Sequence, residues 1–201
     1  DLTIISKTAS GDSVLSILPT VLSYKLSFED DYIGVLNWVN GAFLASFQIE
    51  SKQYEISFFQ NKYLLFESSN SINPSNFQCN TMEILSDSIV KKNVYQQSSV
   101  CIEFAVEIDN YTRETFASDL QAINWATAIF AGVSQIYEAQ TPASLIIVDF
   151  IIWNTNDPYE SFNSTDAVLY ELQDYWIDNN TSINRDLVHL MSKRDLGGGI
   201  A

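Results

Sequence analysis

At 201 residues the chain can hold one large domain or two small ones, and its 46% hydrophobic and 13% aromatic content excludes disorder. Ten basic against 25 acidic residues leave a net charge of −15, an acidic surface that repels phosphate backbones and argues against nucleic-acid binding. No run reaches the roughly 18 apolar residues that a membrane span needs.

Residues 14–66 read as an antiparallel β-meander. Phe43, Ala45, Phe47 and Ile49 alternate with Leu44, Ser46, Gln48 and Glu50. A polar turn at Ser51-Lys52-Gln53 leads to Tyr54, Ile56 and Phe58, and Asn61-Lys62 turns into Tyr63-Leu64-Leu65-Phe66. Period-2 alternation broken by short polar turns predicts hairpins with one half-buried face. From Ser68 to Ser99 the texture changes to loop chemistry, which places the domain junction there and divides the chain into residues 1–96 and 97–201.

Beyond the junction the predicted order is strand, helix, strand, helix, strand. Ile102, Phe104, Val106 and Ile108 share one face of the first strand, with Glu103, Glu107 and Asp109 on the other. Ser118 and Gln121 have capping-box spacing and open a helix to about Glu138, with Ile123, Phe130, Val133 and Tyr137 on one stripe. Leu145 to Trp153 is nearly all apolar, as a central strand covered on both faces should be. A second helix runs from about Thr165 to Ile177 and carries Leu169, Leu172 and Trp176; Val188–Ser192 is the last strand. The whole is α+β: an N-terminal antiparallel meander, then a β-α-β-α-β unit whose alternation predicts a mostly parallel sheet with crossover helices.

Chemistry is sparse. His189 is the sole histidine and sits beside Leu190 and Met191, whereas a triad needs an imidazole base and a zinc site usually needs two or three histidines. Cys79 and Cys101 lie in no Cys-x-x-Cys pair but permit one bridge. Asp109, Asp149 and Glu107 are strand carboxylates without matched spacing. Gly197-Gly198-Gly199 follows a strand and opens no helix, so it is not a phosphate loop. A glycine run there suits a hinge that a following strand would use. The expectation is therefore the front of an enzyme whose catalytic machinery lies beyond residue 201, with no catalytic residue and no metal ligand set within it.

Four segments carry a family resemblance: Cys101–Phe116, Asn124–Tyr137, Ile152–Tyr159 and His189–Ala201. Together they resemble the first half of a reprolysin-type (adamalysin-like) metzincin metalloprotease over about residues 98–201. Residues 14–80 more faintly resemble the β-rich propeptide of such enzymes, ending in Phe77-Gln-Cys-Asn-Thr81. The family signature, His-Glu-x-x-His-x-x-Gly-x-x-His, binds catalytic zinc through three histidines and polarises water through the glutamate. It is missing here, so the resemblance implies no cofactor in residues 1–201 and zinc in the full-length protein. The function implied is the N-terminal fragment of a secreted or periplasmic zinc metalloendopeptidase precursor, inactive by itself and acting on peptide or protein substrates when complete. The alternatives are a non-catalytic binding or adhesion module and a trans-acting, propeptide-like inhibitor.

By the same resemblance, Gly198, Gly199, Ile200 and Ala201 stand where an edge strand pairs with extended substrate, or form only a flexible hinge. Cys79 is either a propeptide thiolate that ligates zinc and keeps the enzyme latent, or half of a Cys79–Cys101 disulfide across the junction. Lys91-Lys92 is a candidate maturation cleavage site, or a solvated lysine pair. An α/β half without its edge strand and active-site helix would expose apolar surface and a strand edge, predicting self-association through that half, with the C-terminal strand pairing across chains.

Overall fold

The computed structural model describes residues 3–4, 21–28, 31–68, 78–80, 100–141 and 143–200. Lys91-Lys92 and Ala201 lie outside these described residues, as does most of the span between Ser68 and Ser99.

The meander forms. Strands β2 (Leu22–Phe28), β3 (Asp31–Val39), β4 (Ala42–Ile49), β5 (Lys52–Phe59) and β6 (Lys62–Glu67) make a five-stranded antiparallel sheet in chain order. Its turns fall slightly earlier than the polar residues suggested. Asn40-Gly41 and Gln60-Asn61 each place two successive residues at positive φ, between 48° and 82°, and Glu50 sits at 52°. Paired positive φ is the type I′ geometry whose twist matches that of the flanking strands, so backbone twist rather than polarity sets the turn positions.

The parallel sheet also forms. β8 (Val100–Ile108), β9 (Ala143–Ile152) and β10 (Leu187–Met191) run parallel, and the two-residue β1 (Thr3–Ile4) adds to the outer side of β9. The order is β1-β9-β8-β10, so β8 and β9 share the interior, and the strand expected over Leu145–Trp153 is one of the two central ones. This order dictates where the helices go. The chain steps from β8 to β9 in one direction, then returns past β8 to β10. Right-handed crossovers in opposite directions must place their helices on opposite faces. The cores obey this. Helix α2 (Asp119–Gln140) packs Ala122, Ile123, Ala126 and Phe130 on Phe104, Val106, Ile108 and Ile147, while α3 (Thr165–Asn179) packs Val168, Leu172 and Trp176 on Ala105 and Val148.

Helix α2 starts as its sequence required, with Ser118 Oγ accepting from Gln121 N at 3.3 Å. The reciprocal arm is displaced by one residue: Gln121 Oε1 accepts from Ala117 N at 3.2 Å. The single buried stripe expected for α2 is corrected by the meander, which lies on its other side. Asn37 Nδ2 donates to Ala128 O at 3.0 Å, Asn40 Nδ2 to Gln121 O at 3.1 Å, and Asn124 Nδ2 to Asn40 Oδ1 at 3.0 Å. Val35, Asn37, Val39 and Ala42 are buried in the meander, and a Cβ at Gly132 would already lie 3.3 Å from Val35 Cγ1. A helix sandwiched between two sheets must be apolar or small on two sides. Tyr137, expected in the buried stripe, is exposed near the helix end.

A short helix, α1 (Asn110–Glu114), was not expected, being too brief to show periodicity. Its cap is legible in retrospect: Asp109 Oδ1 accepts from Thr112 N at 2.8 Å.

Candidate functional site at the carboxyl end of the parallel strands

In a parallel sheet the carboxyl ends of the strands carry the loops and the chemistry. Here those ends converge on three buried carboxylates, Glu107, Asp109 and Asp157, each held by its own donors. Glu107 is fully buried on the face that alternation marked as polar. Its Oε1 accepts from Tyr159 OH at 2.9 Å and from the Trp153 indole, and its Oε2 accepts from the Trp176 indole. Burial pushes the Glu107 carboxyl above its ordinary pKa; the three donors oppose the shift, and nearby Asp157 adds to it. Burial, and then the Glu107 charge, likewise push the Tyr159 phenol upward. Asp157 receives Asn110 N and Tyr159 N, both at 2.8 Å.

Asp109 ties this cluster to the last part of the chain. Ser192 Oγ donates to Asp109 Oδ2 at 2.5 Å, and Lys193 N donates to Thr112 Oγ1 at 2.7 Å. The Lys193 ammonium lies 3.9 Å from the Phe116 ring centroid and 4.7 Å from that of Trp125. The Arg194 guanidinium donates to Tyr159 O at 2.9 Å and also to Phe162 O. Gly197 and Gly198 then take φ of 93° and 136°, a bend that residues with a side chain rarely adopt.

After this bend the chain enters β11 (Gly198–Ile200), which pairs in parallel with β7 (Gln78–Asn80). The register sets Gly198 against Gln78, Gly199 against Cys79 and Ile200 against Asn80. In the structure β11 is a strand paired within one chain. Its partner comes from the Phe77–Thr81 segment that ends the propeptide resemblance, where three residues are too few to show alternation. Of the predicted site residues, the structure thus sets Gly199 against Cys79, with Gly198 and Ile200 paired to the residues on either side of it.

Cys101 is placed apart from them. It lies at the start of β8, an exposed free thiol 3.5 Å from Ser144 Oγ, whereas β11 follows the far end of the sheet. Thiol titration of the unreduced protein should therefore count two thiols; a count of zero that becomes two after reduction would restore the bridge. His189, on β10, sets its ring edge-to-face on Phe130 with centroids 5.1 Å apart, and desolvation there holds its pKa below the usual histidine value. Among the described residues no three His, Cys, Asp or Glu side chains converge as a metal site. The residues present do not by themselves fit a catalytic zinc.

Glu107, Arg194 and Thr165 were missed as site residues. A signal for Glu107 existed: if β9 is apolar on both faces, a helix must cover the Glu107 face too, and Trp153 and Trp176 are the donors such a helix and loop would bring.

Residues 97–201 match the metallo-peptidase family M12, reprolysin type. The match covers more than half of the chain, and the chain belongs to that family. The family implies zinc in its full-length members. No curated protein matches the chain. No described helix is long and apolar enough to cross a membrane.

Proposed function

We propose that this chain is the N-terminal part of an exported zinc metalloendopeptidase precursor. In this reading residues 1–96 form a propeptide-like β domain with its linker, and residues 97–201 form the first part of the catalytic domain. The observation that carries the reading is the parallel pairing of β7 with β11. Extended substrates add to an exposed strand edge through main-chain hydrogen bonds, with register set by that edge. The strand that would receive substrate by family resemblance is occupied here by a segment from the propeptide-like part, which supports latency. Cys79 sits in that segment at the register position opposite Gly199, and by family resemblance a propeptide cysteine is a candidate ligand of the zinc. Self-association through the outer edge of β10 belongs to the same proposal, since that strand has one described neighbour.

Peptide hydrolysis in this family needs the three-histidine motif, and one histidine cannot supply it. The purified 201-residue chain, incubated with zinc and a quenched-fluorescence peptide, should show no chelator-sensitive cleavage, whereas the product of a longer reading frame encoding the motif should cleave after its propeptide is removed. Robust chelator-sensitive cleavage by residues 1–201 alone would overturn the proposal. So would a longer product that carries the motif, binds zinc and never cleaves.

A further inference from the structure

Three consecutive glycines should leave β11 without a fixed position, because glycine loses more backbone freedom on ordering than any other residue. The structure nevertheless holds it in one register. The helix α3 and the turn before it supply the constraint. Thr165, the first residue of α3, donates through its amide to Leu196 O at 3.3 Å and through its hydroxyl to Leu196 O at 2.6 Å and Gly198 O at 3.3 Å. Arg194 uses two guanidinium nitrogens on the carbonyls of Tyr159 and Phe162, three residues apart in the turn that leads to α3. Both turn and helix are in turn fixed to β8 by Glu107, through Tyr159 OH and the Trp176 indole. The bend is thus gripped on both sides of Gly197. A planar, five-donor guanidinium suits this task, since it can satisfy two carbonyls at once and stays charged at any ordinary pH.

We propose that Arg194 and Thr165 are positioning residues that hold β11 in place as a pairing edge, for the β7 segment in this chain and for extended substrate once that segment leaves. The inference rests on the reading of β11 as the substrate-pairing strand. Neither residue touches the reacting atoms; each acts through backbone carbonyls on the strand that pairs. Side-chain bonds to backbone carbonyls give β11 a position that its own glycines cannot.

Amide hydrogen exchange on the intact 201-residue chain tests this. In the parent, exchange over Gln78–Asn80 and Gly198–Ile200 should be slowed relative to free peptide. In Arg194→Ala, and separately in Thr165→Val, exchange should rise on the order of tenfold in both segments together, with β8, β9 and α2 unchanged. Thr165→Val keeps the shape and the amide bond of the helix start, so it separates the hydroxyl contacts from folding. Slowed exchange that persists at both segments in both variants would overturn the clamp while leaving the pairing intact. A rise spread evenly over β8, β9 and α2 would also overturn it, as ordinary destabilisation. Free-peptide exchange at both segments in the parent would overturn the pairing itself, and the clamp with it.

Discussion

Replacing Glu107 with alanine is expected to destabilise the protein by about 3 kcal/mol, lowering its melting temperature by roughly 6–12 °C. Glu107 is fully buried and accepts from Trp153, Tyr159 and Trp176. Alanine leaves all three donors without an acceptor, at about 1–3 kcal/mol each, and opens a cavity beneath α3. Against this, it recovers the desolvation cost of a buried carboxylate, which keeps the net loss below the sum of the parts. Glu107→Gln keeps the shape but accepts on one side only and turns its NH2 toward one of the two indole N–H groups, so it is expected to lose roughly 1–2 kcal/mol, between the parent and alanine. Differential scanning calorimetry of the three proteins at one pH decides it. An alanine variant that melts with the parent would show that these donors are satisfied elsewhere.

The same residue gives a pH dependence of definite sign. Its carboxyl titrates above the ordinary 4.5 in the folded state, chiefly through burial. The folded protein therefore binds this proton more tightly than the unfolded chain, so Glu107's contribution to stability grows as pH falls through the raised value. The gain is complete near the unfolded value and is lost again as pH rises. A carboxylate stabilised mainly by its donors would behave the opposite way. Subtracting the stability–pH curve of Glu107→Gln from that of the parent isolates this contribution, and a difference curve that falls on acidification would contradict the burial argument.

Gly34→Ala is expected to cost about 3 kcal/mol, and to do so chiefly in the meander. A Cβ at Gly34 would stand 2.3 Å from Ser46 O and 2.5 Å from Phe47 Cα. Both neighbours are backbone or close to it, so no side-chain rotation relieves the contact and β3 must part from β4. Gly34 is required for room rather than for an unusual φ. Trp38, which packs edge-to-face on Phe43 with centroids 4.5 Å apart, reports on this sheet. The near-ultraviolet circular dichroism of Trp38, read against a Trp38→Phe control, should weaken in Gly34→Ala at temperatures where the parent's is intact. A variant of unchanged stability would mean that the two strands separate without cost.

Much of this architecture could be read before any coordinates. The strands around Phe43–Ile49 and Tyr54–Phe58 showed strict alternation, and α2 announced its start with Ser118 and Gln121. By contrast, β3 hid behind Gly34 and Asn37, residues poorly suited to a strand by propensity. Its Asn37 is there to reach Ala128 O on α2, 91 positions away. The three-residue strands β7 and β11 and the five-residue α1 are shorter than any period that could reveal them.

By itself the sequence determined the local elements, their order and the parallel sheet that alternating strands and helices require, because each depends on neighbours within a few positions. It also marked a chain with a single histidine, too few for the family's zinc chemistry. The tertiary structure alone decided that Cys79 lies beside Gly199, that Glu107 gathers two indoles and a phenol, and that Arg194 and Thr165 grip a glycine bend. Each of these joins residues tens of positions apart. Such contacts form only when crossover helices and a folded sheet bring the strand ends together, and no short-range pattern encodes them.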